Sequence, residues 1–171
     1  MTKRKNLNVY EISDEQREKE RFGMKDNLVQ KNLTIEWRHL DIGGETCERC
    51  SGTYGNILEA ITSLEQSGEL EGIQVEIIDN ALKEDRIKES NLVLINDIPI
   101  ERLLGAGVQY TECSSCGDLT GNTTCCRAVT LEGTTEETLP MEMIRAAIRA
   151  AINQTEMQGR KVLRTIYEPN K

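Results

Sequence analysis

Leu33-Thr34-Ile35-Glu36-Trp37-Arg38-His39-Leu40 alternates bulky or apolar residues with polar ones, the period of two expected of a half-buried strand. From Tyr54 to Leu64 the period changes. Ile57, Leu58, Ile61 and Leu64 fall at i, i+1, i+4 and i+7, one buried face of a helix that stops near Ser67-Gly68. Gly72 to Asp79 returns to alternation, with Ile73, Val75 and Ile77 on one face. Strand, helix and strand in this order predict a βαβ unit with parallel strands and a right-handed crossover.

Ala81 to Glu89 is charged and reads as a short helix. Asn91-Leu92-Val93-Leu94-Ile95 is a continuous apolar run, as expected of a strand buried on both faces. Asn96-Asp97 reads as a tight turn and Ile98-Pro99-Ile100 as the returning edge strand, where a proline is tolerated. Glu101 to Leu104 adds a helical turn ending at Gly105. The last core helix starts at Pro140, with Met141, Ile144, Ile148 and Ile152 on one side and Ala147 and Ala151 permitting close packing.

Between these elements, residues 105–137 are rich in Gly, Thr and Ser and read as a long loop, inserted before the last helix. Loops of that length are uncommon in a compact domain unless they are functional or tied down. Residues 1–31 read as a charged extension containing a short solvated helix after Ser13-Asp14. The core domain is expected over 32–153. A charged tail follows over 154–171, with a small extra strand at Lys161–Tyr167.

Charge and composition narrow the function. The 171 residues suffice for one self-sustaining core, and the net charge of −8 leaves no basic stripe for nucleic acid. No apolar run reaches membrane-spanning length, and the start has no apolar core of signal-peptide length, so the expected compartment is cytoplasmic. There, six cysteines point to catalysis, redox sensing or metal binding rather than to permanent crosslinks. With one histidine no Ser/His/Asp triad can be built, and Gly105-x-Gly107 lacks the rest of a dinucleotide fingerprint.

The chemistry therefore rests on sulfur. Thr46-Cys47-Glu48-Arg49-Cys50-Ser51-Gly52 lies at a strand-to-helix junction, with Cys47 at the helix start and Cys50 in its first turn. Unpaired backbone N–H groups there favour a thiolate. Such a pair serves thiol–disulfide exchange, Cys47 attacking a protein or small-molecule disulfide and Cys50 resolving the mixed disulfide, or it ligates a metal. Cys113, Cys116, Cys125 and Cys126 form a second cluster, in local structure expected to differ from that of the first. Its readings are a zinc or iron–sulfur thiolate site, a dithiol relay exchanging with Cys47 and Cys50, or structural thiols without chemistry. Adjacent side chains point apart, so three of the four sulfurs plus another ligand is the easier metal geometry. His39 reads as a packed or solvated side chain.

The order strand, Cys-x-x-Cys, helix, strand, hairpin, helix is similar to the thioredoxin fold: a central mixed sheet flanked by helices, here with the cysteine-rich insertion. More narrowly the chain resembles an uncharacterised prokaryotic thioredoxin-like family known only as a domain of unknown function. The resemblance rests on Cys47-x-Arg49-Cys50, Ser90-Asn91 through Asn96, Pro99-x-Glu101, Cys113-x-x-Cys116 and Cys126-Arg127. It implies the fold more firmly than the activity; with the first motif at a helix start, the leading expectation is a thiol–disulfide oxidoreductase or redox-responsive protein. It also implies a role for Glu36 as the acid taking the Cys50 proton. The alternative is a protein that holds a soft metal or metalloid on thiolates without turnover. Two positions depart from thioredoxins: Thr46 replaces the tryptophan before the first cysteine, and Ser90 stands about where thioredoxins carry a cis-proline that keeps metals off the two sulfurs.

Overall fold

The computed structural model describes residues 31–167. β1 (Lys31–Leu40) leads through a short turn into α1 (Glu48–Gln66), and β2 (Ile73–Leu82) follows. The Asp41 N–H donates to the Leu82 carbonyl at 2.9 Å, tying the ends of β1 and β2 together as a parallel pair. After a 3-10 segment at Glu84–Glu89 come β3 (Leu92–Ile95) and β4 (Ile98–Pro99), and the sheet order is β2-β1-β3-β4. β3 runs antiparallel to β1, with Ile35 opposite Ile95 and Trp37 opposite Val93, which places all four on the core face. Asn96 and Asp97 both have positive φ, the conformation that a two-residue hairpin turn requires. α2 (Ile100–Leu104) ends at Gly105, whose φ of 66° suits a residue without a Cβ.

α1 and α4 (Met141–Tyr167) supply the helical half of the core. Ile57 and Leu64 of α1 and Ile144 and Ile148 of α4 are fully buried. Each such side chain stabilises the fold by about 1.5–3 kcal/mol relative to exposure. Ala60, Ala147 and Ala151, also buried, keep the helices close. The chain is thus mixed α/β, a mixed sheet flanked by helices, consistent with a thioredoxin-like fold.

Two expectations change. Residues 105–137 are not a loop: β5 (Gly107–Glu112), α3 (Ser114–Thr120), β6 (Cys125–Leu131) and β7 (Thr134–Glu136) form a second, three-stranded antiparallel sheet around a short helix. Threonine, valine and tyrosine favour strands, but glycines and cysteines among them obscure the alternation. Lys161–Tyr167 forms no strand and continues α4. No proline interrupts that run, and a lone glycine does not end a helix. The N-terminal extension before Lys31 lies outside the described residues.

Buried polar contacts bind the second sheet to the first. Asn91, almost fully buried and in the left-handed conformation, donates from Nδ2 to the carbonyls of Arg127 (3.2 Å) and Glu137 (2.7 Å). Arg127 pairs with Glu101, both largely shielded from solvent. Thr53 and Asn56 of α1 bond the Leu139 N–H and carbonyl, fixing the approach to α4.

Candidate metal centre

Both Cys-x-x-Cys motifs open a helix, contrary to the expectation that they differ in local structure. Cys47 is the residue preceding α1 and Cys50 lies in its first turn; Cys113 and Cys116 stand in the same relation to α3. The two helix starts converge. The Sγ atoms of Cys47, Cys113 and Cys116 all lie within 4.8 Å of one another, and Cys126 Sγ is 3.0 Å from Cys116 Sγ. Cys47, Cys50, Cys113, Cys116 and Cys126 are all buried and none is in a disulfide; Cys125, next to Cys126 on β6, is exposed. The two sequence clusters are therefore one assembly of five sulfurs, with Cys125 outside it. Cys125 and Cys126 part because successive side chains of a strand point to opposite faces.

Arg49 locks this arrangement. In sequence it precedes Cys50 within the first motif, and its side chain is 5% exposed. From Nη1 it donates to Thr111 Oγ1 (3.0 Å) and the Cys126 carbonyl (3.3 Å), and from Nη2 to the Glu112 carbonyl (3.0 Å) and Glu137 Oε2 (2.9 Å). One guanidinium thus grips Cys126 itself and the residue before Cys113. Only a planar fork with several donors does this.

Ser90 takes the place at which thioredoxins carry their proline, and no cis peptide bond occurs among the described residues. Its Oγ accepts the Leu40 N–H (3.1 Å) and lies 3.1 Å from Cys50 Sγ, so its own proton is free to point at that sulfur. Glu36, by contrast, bonds Arg38 and Asn80, on the opposite face of β1 from Ile35 and Trp37. These contacts hold its carboxyl below the usual range, chiefly through Arg38. His39 is buried, stacks on Trp37 at 3.8 Å and bonds Asp79, as a packed side chain does.

The sulfurs titrate as a group. Hydrogen bonding from the thiols of Cys116, Cys126 and Cys50 holds Cys47 far below the usual thiol range, against the cost of burial. Cys116 is pushed far up by its contacts with Cys126 and Cys47 and by burial. Cys50 is pushed far up by Cys47, by burial and by the Cys47 charge, with Ser90 opposing. Cys126 is pushed up to about 12: Cys116 lowers it, but Cys47, burial and Cys113 outweigh that. Ionisation is thus favoured at Cys47 over Cys50, Cys116 and Cys126, because their S–H groups can point at its sulfur. A second thiolate in so small a volume requires a cation, which inverts the local cost of ionisation.

Sulfurs around one zinc ion sit at about 2.3 Å from it, hence about 3.8 Å apart at tetrahedral angles. Three sulfurs within 4.8 Å of one another fit that spacing; Cys126 Sγ, 3.0 Å from Cys116 Sγ, adjoins this set. An iron–sulfur cluster, with several irons between its thiolates, spreads its ligands wider. Arg49 and Ser90 both stand within the motifs that carry the family resemblance; what the sequence does not show is that Arg49 bonds the Cys126 and Glu112 carbonyls and that Ser90 lies against Cys50.

Among the described residues no helix is long and apolar enough to cross a membrane. No solved structure matches the chain. An uncharacterized protein of Archaeoglobus fulgidus is 34% identical over 118 residues, covering 66% of this chain and 82% of the relative. The family model described as domain of unknown function DUF2703 matches residues 33–148, and the chain belongs to that family.

Proposed function

We propose that the protein holds a single soft metal ion of the zinc class on Cys47, Cys113 and Cys116, with Cys126 as fourth sulfur. The observation that carries this reading is the convergence of three buried sulfurs from two helix starts to within 4.8 Å. The ion is bound, not turned over: it neutralises the thiolates, joins the two sheets and stabilises the fold as structural zinc does. Arg49 fixes the backbone of Cys126 and Glu112 around the site. Ser90 holds Cys50 beside the site without making it a ligand.

A second reading is thiol–disulfide exchange at Cys47 and Cys50, favoured by their position at the start of α1. It needs Cys47 to meet a substrate disulfide, and Cys47 is 1% exposed. That burial ranks the reading second.

Titration of anaerobic, metal-free protein with zinc separates the two. Binding is expected at one ion per chain and to tighten with pH. Cys116 and Cys126, both pushed up, are protonated at neutral pH, so the ion must displace their protons. Each displaced proton raises affinity about tenfold per pH unit, so a rise of roughly ten- to a hundredfold is expected between about pH 6.5 and 7.5. A protein that takes no zinc, while reducing a model disulfide through Cys47, overturns the metal reading in favour of the second.

A further inference from the structure

A polar groove of about 440 Å³ runs along α3, lined by Glu112, Cys113, Ser114, Asp118, Thr123 and Thr124 among others. Of the five clustered sulfurs, Cys113 alone lines it. Cys113 is also the most exposed of the five at 4%, against 1% for Cys47 and none for Cys50, Cys116 and Cys126. The groove wall is built in advance. Thr120 Oγ1 lies 3.1 Å from Thr124 Oγ1, Thr124 donates to the Asn122 carbonyl (3.0 Å), and the Cys113 N–H donates to the Thr124 carbonyl (2.8 Å).

We infer that this groove is the site through which a divalent cation enters and leaves the centre, with Cys113 its first and last sulfur ligand. The inference rests on the metal reading above and adds the path. A metal ion moves between a buried thiolate set and solvent by exchanging one ligand at a time. The first exchange takes place at the sulfur that an incoming water or chelator can reach, and on this surface that is Cys113. The Glu112 and Asp118 carboxylates flank the route. They raise the local concentration of a cation and disfavour an anionic carrier. The arriving species is therefore the hydrated or weakly complexed cation.

The test fills the groove without touching the sulfurs. Thr123, exposed on its wall, is replaced in Thr123→Trp, and Asp118 in Asp118→Asn. Zinc transfer from the full-length protein to a chromophoric chelator is followed by stopped flow. Thr123→Trp is expected to slow uptake and release together by about tenfold or more with the equilibrium affinity unchanged. Asp118→Asn slows uptake about two- to threefold at low salt, a difference that disappears at high salt. Unchanged rates in Thr123→Trp overturn the inference.

A second arm needs no metal. On metal-free protein the rate at which iodoacetamide modifies Cys113 is read by peptide mass in wild type and in Thr123→Trp, so that the same thiol is compared with the groove open and filled. Thr123→Trp is expected to slow modification of Cys113 by about tenfold or more. Equal Cys113 rates in the two proteins overturn the path. If wild type binds no zinc, the metal reading has failed, and this comparison alone decides whether the groove is the way in.

Discussion

Cys116→Ser is expected to weaken zinc binding by a hundred- to a thousandfold while the metal-free fold survives. Cys116 lies close to three other sulfurs: its Sγ is 3.0 Å from Cys126 Sγ and within 4.8 Å of those of Cys47 and Cys113. Apparent binding energies of about 10–16 kcal/mol for four-ligand structural zinc sites put one ligand at about 3–4 kcal/mol. At about 1.4 kcal/mol per tenfold, that is two to three orders of magnitude in Kd. Serine nearly matches cysteine in volume, so the cavity left in the core is small. Cys125→Ser is the control, because that sulfur is exposed and faces away; its affinity should stay within about twofold of wild type. Competition against a chelator of known affinity reads both. Equal losses in the two variants would mean that the sulfurs act through the fold and not as ligands.

Arg49→Met is expected to destabilise the metal-free protein by about 3 kcal/mol. The replacement leaves two backbone carbonyls and the Thr111 hydroxyl without their donor at the boundary of the two sheets. Each such loss costs about 1 kcal/mol or more. The ion pair with Glu137 adds little, since that carboxylate is half exposed and solvent takes over its charge. For a domain of this size the change lowers Tm by about 6–12 °C. Arg49→Lys should recover less than half, because an ammonium group cannot reach four acceptors in one plane. Thermal unfolding with and without zinc checks this. A Tm unmoved in Arg49→Met would remove the residue from the account.

Much of this architecture can be read from the hydrophobic pattern. The alternation of Leu33, Ile35 and Trp37 is the buried face of β1, and Ile57, Ile61 and Leu64 are the buried face of α1. Asn96-Asp97 turns where a positive-φ pair should. The second sheet escapes such reading because its ladders are short and its strands mix Thr, Gly and Cys. β5 shows no buried face at all, so there is no alternation to find. The site was half legible. Cys47 and Cys50 stand at a helix start as their spacing predicts. Their convergence with Cys113 and Cys116 joins positions more than sixty residues apart, and no local rule encodes it. What joins them is a set of polar pairs: Cys50 with Ser90, Asn91 with the Arg127 carbonyl, Glu101 with Arg127, Arg49 with the Cys126 carbonyl. In sequence these residues appear as separate motifs. In the fold they are partners, which is the physical reason they occur together.

The most direct test is X-ray absorption at the metal edge on protein loaded with one equivalent of zinc under anaerobic conditions. The account predicts a single shell of three or four sulfurs at about 2.3 Å and no second metal nearby. A shell of oxygen and nitrogen, a metal–metal scattering path, or protein that retains no metal would contradict it.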